Sequence, residues 1–194
     1  MFKVVYLTGA PASGKSSVCS AVKAKVPKTV IFRYGKVLTD YVKQRMTDVT
    51  QEGLRSSSSM IVHPSDVKEV DRQMVEFVSR ERSKNHVIID THALTRELYG
   101  FRMTPVSEKD IKAISPNFMV TLMASPQTTR ERTRKKAEGR PQLSDWQYQL
   151  QTSLQNTIPV TYSIICGAPA YFIENESEEN FDQAVNEISR LLNE

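Results

Sequence analysis

A chain of 194 residues, 39% hydrophobic and 25% charged, is long enough to bury a substantial core and fits one domain over residues 1 to 194. Its formal net charge of +4 is too mild for a general polyanion surface, its apolar runs are too short to span a bilayer, and no signal-peptide pattern opens it. These properties argue against nucleic acid and membrane as partners and predict a cytoplasmic protein, in which Cys19 and Cys166, far apart and without metal-ligand spacing, read as reduced thiols.

Lys3 to Thr8 reads as a buried strand, and it runs straight into Gly9-Ala-Pro-Ala-Ser-Gly-Lys-Ser16. That octet satisfies the G-x-x-x-x-G-K-[ST] phosphate loop at every position, and a helical pattern from about residue 15 to 26 follows, stopped by Pro27. Glycines let the backbone curl so that successive N–H groups face phosphate oxygens, and the positive end of a helix starting at Lys15 adds to the cradle. Gly9, Ala12, Ser13, Gly14, Lys15, Ser16 and Ser17 are therefore the expected contacts to the phosphates of a nucleotide. Within that frame Lys15 spans the β- and γ-phosphates, the Ser16 hydroxyl ligates Mg²⁺, and a side chain at Gly14 is expected to collide with the phosphates.

Thr29 to Phe32 is a second short strand, Arg33-Tyr-Gly35 a turn, and Val37, Leu38, Tyr41, Val42 and Met46 recur at helical spacing. Residues 47 to 66 are polar, with Ser56 to Ser59 unbroken, and read as a linker or a substrate flap. An amphipathic helix then starts at His63-Pro-Ser-Asp66 and runs to about Lys84. His86-Val-Ile-Ile-Asp-Thr-His92 is an apolar, β-branched run suited to the centre of a parallel sheet, and Asp90 at its carboxyl end is placed to hold Mg²⁺ with Ser16.

Residues 93 to 116 read as loop with one short helix at about 107 to 114, and Phe118 to Met123 is the next strand. A basic helix carrying Arg130-Glu-Arg-Thr-Arg-Lys-Lys136 is broken by Gly139-Arg-Pro141, and a long helix from Ser144 to about Ile164 is expected to be interrupted near Pro159. Ala170 to Ile173 is the last strand, and Asn180 to Leu192 a closing amphipathic helix. Five strands alternating with helices predict an α/β P-loop NTPase fold of three layers, a mainly parallel sheet flanked by helices, with ligands at the carboxyl ends of the strands.

Taken together, the phosphate loop, Arg33-Tyr-Gly35, Val87-Ile-Ile-Asp-Thr-His92, Gly100-Phe101 and Tyr162 through Gly167-Ala168 resemble the archaeal-type adenylate kinases, in order and over nearly the whole chain. The resemblance implies a P-loop nucleoside monophosphate kinase that moves a phosphoryl group reversibly between ATP and AMP with Mg²⁺. It further implies an acceptor-binding region near residues 35 to 75 and a short lid near 130 to 142, and it is compatible with a homo-oligomer. Arg132 and Arg140 match the family's lid pattern as the cations that meet the transferred phosphoryl, with Lys15 and Asp90 completing the catalytic set. Gly35, Arg55 and His92 become the expected acceptor contacts, Arg33 a helper to Arg55, and Ala168 a backbone contact to the adenine. Where the family usually carries a Gly/Pro-rich stretch after the histidine, this chain reads Ala93-Leu-Thr-Arg-Glu-Leu-Tyr99 and Arg102-Met-Thr-Pro105. Two other readings stay open: a P-loop kinase acting on another small metabolite or a nucleic-acid end, and an ATP-binding switch with slow ATPase activity.

Overall fold

The computed structural model describes residues 1–97, 99–135, 140 and 142–194, with the backbone alone at 55–57 and 59. Its central sheet is made of β1 (Val4–Gly9), β2 (Thr29–Arg33), β3 (His86–Asp90), β6 (Phe118–Met123) and β7 (Ala170–Glu174), in the order β2-β3-β1-β6-β7 and parallel throughout. Alternation along β1 explains why the sheet is covered on both faces. Tyr6 points into one core with Val87, Ile89 and Met119, whereas Val5 and Leu7 point into another with Ile88, Val120 and Leu122.

Each face is closed by helices with matching stripes. α1 (Lys15–Lys25) and α8 (Glu178–Asn193) cover the second core through Val18, Val22, Ile188 and Leu191. On the first core lie α2 (Tyr34–Val42), α4 (Pro64–Glu81), α5 (Glu108–Ile114) and α7 (Asp145–Cys166), through residues such as Val37, Met74, Ile111 and Ile158. Among the described residues no helix is long and apolar enough to cross a membrane.

Four expectations need correction. The Arg33-Tyr-Gly35 turn does not form, because β2 passes directly into α2 at Tyr34. The polar stretch expected as a linker or flap contains a helix, α3 (Gln51–Ile61): the Thr50 hydroxyl accepts from Gly53 N at 3.0 Å, and Leu54 packs with Val42, Val49 and Val62 in a third small core. The expected loop at 93 to 105 is largely an antiparallel hairpin, β4 (Leu94–Glu97) with β5 (Gly100–Met103). Finally, α7 continues unbroken through Pro159. Proline removes one helical hydrogen bond there, but Ile158 and Tyr162 are locked in the core and the Gln155 amide donates to Thr8 Oγ1 at 2.7 Å, so both halves of the helix are held in line. The remaining helix, α6 (Pro126–Lys135), carries the basic segment.

Candidate active site

The phosphate loop sits where β1 ends and α1 begins, at the carboxyl edge of the sheet. Gly9 has φ 148, and a Cβ there would lie 2.5 Å from the Leu122 carbonyl oxygen of β6, so only glycine lets β1 turn beside its neighbour. Gly14 caps α1 with φ 91, and a Cβ on it would fall on the Asn175 side-chain amide. Besides the collision with phosphates expected from sequence, the protein's own Asn175 and the left-handed backbone exclude a side chain at Gly14. Ala12 is also left-handed, with φ 65, and the Ser13 N–H closes a turn onto the Ala10 carbonyl at 3.1 Å. Ser16 and Ser17 are exposed in the first turn of the helix, whose positive end favours anions. The Lys15 ammonium lies across the loop, donating to the Gly9 carbonyl at 2.6 Å and the Ala10 carbonyl at 3.1 Å.

β3 ends beside this loop and brings Asp90 to it, with the Ser16 hydroxyl 3.2 Å from Asp90 Oδ2. Among the described residues no cluster of three or more His, Cys, Asp or Glu could enclose a metal. A hydroxyl and a carboxylate at this spacing are instead the two hard oxygens that Mg²⁺ accepts when phosphate oxygens and water complete its shell, so the residues present fit that ion. Arg33, at the end of β2, also reaches this acid, with Nη1 3.5 Å from Asp90 Oδ2.

Arg132 reaches the loop from α6. Its guanidinium donates to the Asn175 carbonyl at 2.8 Å and lies 3.4 Å from the Ala12 and Glu176 carbonyls, clasping the phosphate loop to the turn between β7 and α8. Arg130 diverges, pairing with Asp145 and lying over the Tyr148 ring, as expected if the two arginines leave α6 on different faces. Arg140 is half-buried, and part of the expected lid around it, residues 136–139 and 141, lies outside the described residues.

The turn after β7 was not anticipated, although its place at a strand's carboxyl end was the available signal. Asn175 is 2% exposed, and its amide donates to the Ser13 carbonyl at 2.7 Å. The Glu176 carboxylate accepts from the Ser125 backbone and, at 3.1 Å, from its hydroxyl. Ala168, the expected backbone contact to the adenine, lies at the other end of β7. It precedes β7, where Ala170 pairs with Met119 near the start of β6, whereas Gly9 pairs with Leu122 near the other end. Ala168 is thus at the amino edge, buried with Tyr162, and its carbonyl accepts from the Ser163 hydroxyl.

Immediately past Asp90 a cavity of about 110 Å³ opens, lined among others by Tyr34, Gly35, Asp71, Thr91, His92 and Arg102. Gly35 and His92 are therefore brought to one cavity as expected, while the Arg55 side chain lies outside the described part of the structure. Gly35 is in the first turn of α2, and a Cβ on it would sit 3.4 Å from Gln51 Nε2, at the α3 wall. Tyr34 donates its hydroxyl to Asp71 Oδ1 at 2.9 Å. Burial, aided by the charge of Asp110 and opposed by that hydrogen bond, pushes the Asp71 carboxyl up to about 6. On the hairpin wall, the buried Glu97 accepts from the Ser58 hydroxyl at 3.0 Å and lies 3.2 Å from Arg102 Nε. Arg102 was missed because the hairpin that carries it was read as loop, and Tyr34 and Asp71 because they meet only through the packing of α2 on α4.

Comparison with known proteins fits this geometry. A family model described as the AAA domain matches residues 8–147, from the end of β1 into α7. The adenylate kinase of Pyrococcus horikoshii is 25% identical over 199 residues, covering 97% of this chain and 94% of the relative, and that of Methanothermobacter thermautotrophicus is 20% identical, covering 98% and 99%. In fold, the chain is similar to a shikimate kinase from Acinetobacter baumannii, with TM-score 0.58, 14% identity and coverage of 100% and 94%. It is likewise similar to a gluconokinase from Sinorhizobium meliloti, with TM-score 0.54, 16% identity and coverage of 98% and 94%. With its P-loop, its parallel five-stranded sheet and the span of that match, this chain belongs to the AAA domain family and has the P-loop kinase fold.

Proposed function

We propose that the protein transfers the γ-phosphoryl group of ATP, with Mg²⁺, to a nucleoside monophosphate, and that AMP is the acceptor. The observation that carries this reading is continuity along one strand end: Asp90 faces the phosphate loop, and Thr91 and His92, the next two residues, line a second cavity. A nucleotide switch needs only the first of these sites, whereas a phosphotransferase needs both, side by side, so that two anionic substrates meet in line. The name carried by the archaeal relatives over almost the whole chain supports AMP as the occupant of the second cavity.

In this reading the loop N–H groups and Lys15 hold the donor phosphates, while Ser16 and Asp90 hold Mg²⁺, which neutralises charge between donor phosphates when bound. Arg132 positions the loop against the β7–α8 turn, and Arg140 closes from the lid. The lid, with Arg140, and the acceptor region at residues 35 to 75, with Arg55, are part of this proposal, as is a cytoplasmic location. A second reading, transfer to another small metabolite, is favoured by the hairpin that places Arg102 where the resembled family has Gly and Pro.

Incubation of the protein with Mg·ATP and a panel of nucleoside monophosphates, shikimate and gluconate tests both readings. AMP consumed with formation of two ADP supports the first, phosphorylation of a sugar acid or shikimate supports the second, and ATP hydrolysis without transfer to any of them overturns both.

A further inference from the structure

We propose that Arg33 is a built-in counter-ion for Asp90 that competes with Mg²⁺ for this carboxylate; the proposal rests on the reading of Gly9 to Ser16 as an ATP site. Arg33 and Asp90 are register partners at the ends of β2 and β3, so the backbone pairing itself sets the two side chains next to each other. Arg33 Nη1 lies 3.5 Å from Asp90 Oδ2, the same oxygen that lies 3.2 Å from the Ser16 hydroxyl. Its other nitrogen, Nη2, donates to Ser20 Oγ at 3.1 Å, and Ser20 stands one helical turn after Ser16 on α1. The guanidinium is thereby held between the two elements that frame the metal position.

The electrostatic consequence follows from where the charges sit. Asp90 is 11% exposed and Arg33 35%, so water screens their interaction less than that of a surface pair. A carboxylate alone beside a hydroxyl would attract a free divalent cation, but with Arg33 at hand its charge is already balanced and Lys15 adds a further positive charge across the loop. The nucleotide's phosphates add negative charge that favours Mg²⁺ over the guanidinium. Arg33 therefore opposes the metal and attracts the phosphates. Both effects lower the gain in affinity that ATP derives from Mg²⁺.

Titration calorimetry with a non-hydrolysable ATP analogue, in EDTA and in excess Mg²⁺, measures that gain directly as the ratio of the two dissociation constants, independently of turnover. Arg33→Met should raise the ratio roughly tenfold, the size of one removed charge contact at a partly buried site. Arg33→Lys, which keeps the charge, should stay near wild type, and Arg33→Met should leave the ratio unchanged in an Asp90→Asn background. Arg33→Gln serves as a second neutral variant, and thermal melts establish that each protein is folded. An unchanged ratio in both neutral variants, or the same rise without Asp90, overturns the proposal while leaving the ATP site intact. Failure of the wild-type protein to bind the analogue under either condition overturns the ATP-site reading and this proposal with it.

Discussion

Around the phosphate loop, beside the side-chain contacts at Asp90, several fixing contacts run to backbone atoms: Lys15 to the Gly9 and Ala10 carbonyls, Asn175 to the Ser13 carbonyl, Arg132 to the Asn175 carbonyl. Around the cavity past Asp90 they run between side chains, Tyr34 to Asp71 and Ser58 to Glu97 on elements distant in sequence and Arg102 to Glu97 across the hairpin. A cradle fastened through its backbone keeps its shape whatever the neighbouring side chains are, and suits a ligand part, the phosphates, that is the same in every nucleotide. A cavity walled by side-chain pairs changes shape and polarity with single substitutions. The first arrangement supports donor binding and the second supports choice of acceptor.

The sharpest attempt to break this contrast is Lys15→Ala. It removes the ammonium that lies across the phosphate loop and should lower the transfer rate roughly 100- to 1,000-fold, the scale of losing one preorganised charge contact to the transition state. The melting temperature should barely move, since the ammonium's hydrogen bonds to the Gly9 and Ala10 carbonyls lie within one loop. Turnover close to wild type in a coupled assay would mean that the loop does not hold the transferred group.

Asn175→Ala tests the backbone clasp. It leaves the Ser13 carbonyl without its buried donor, so it should cost about 1–3 kcal/mol in denaturant unfolding. The KM for ATP should rise while that for the acceptor stays put. A change confined to the acceptor would erase the division drawn here. Conversely, Arg102→Ala should raise the acceptor KM roughly tenfold and leave the ATP KM unchanged, as expected for loss of a charged contact on one wall of the cavity. Equal effects on both substrates would show that Arg102 supports the fold and not the acceptor site.

The same contrast explains what was legible in the sequence. Gly9 to Ser16 and Asp90 were readable because their chemistry depends on spacing along the chain: a strand, a fixed number of loop residues, a helix start, an acid at a strand end. The five strands were readable for the same reason, as short apolar β-branched runs. The acceptor walls were not, because Ser56 to Ser59 show no helical pattern and α3 is specified by the Thr50 cap and by burial of Leu54 against Val42 and Val62. The hairpin at 94 to 103 lacks the alternation of a half-buried strand, and Leu94 and Glu97 are buried in it while Thr95 and Arg96 are only partly covered. Pro159 misled in the opposite direction, since the local rule against proline was overruled by core packing on both sides of it. Asn175 shows a further limit: its importance lies in the space beside Gly14, more than 160 residues away in the chain.

The last prediction isolates the cavity side through pH. Burial raises the Asp71 carboxyl in the folded protein to about 6, against 3.8 for an unperturbed aspartate. Below about pH 4 the group is protonated in both folded and unfolded chains and contributes no pH dependence. Between about 4 and 6 the unfolded chain releases its proton while the folded one retains it, so raising the pH favours unfolding, by at most about 1.4 kcal/mol per pH unit. Above about 6 both forms are ionised and the penalty is constant. Asp71→Asn keeps an oxygen for the Tyr34 hydroxyl but cannot ionise, so the difference in unfolding free energy between variant and wild type should grow in the variant's favour across that window and then level off. Other carboxylates, such as Glu69 held low by Arg72, titrate alike in both proteins and cancel in the difference. A flat difference from pH 4 to 7 would mean that Asp71 is solvated, and the cavity would then lose the buried acceptor group on which its contrast with the phosphate loop partly rests.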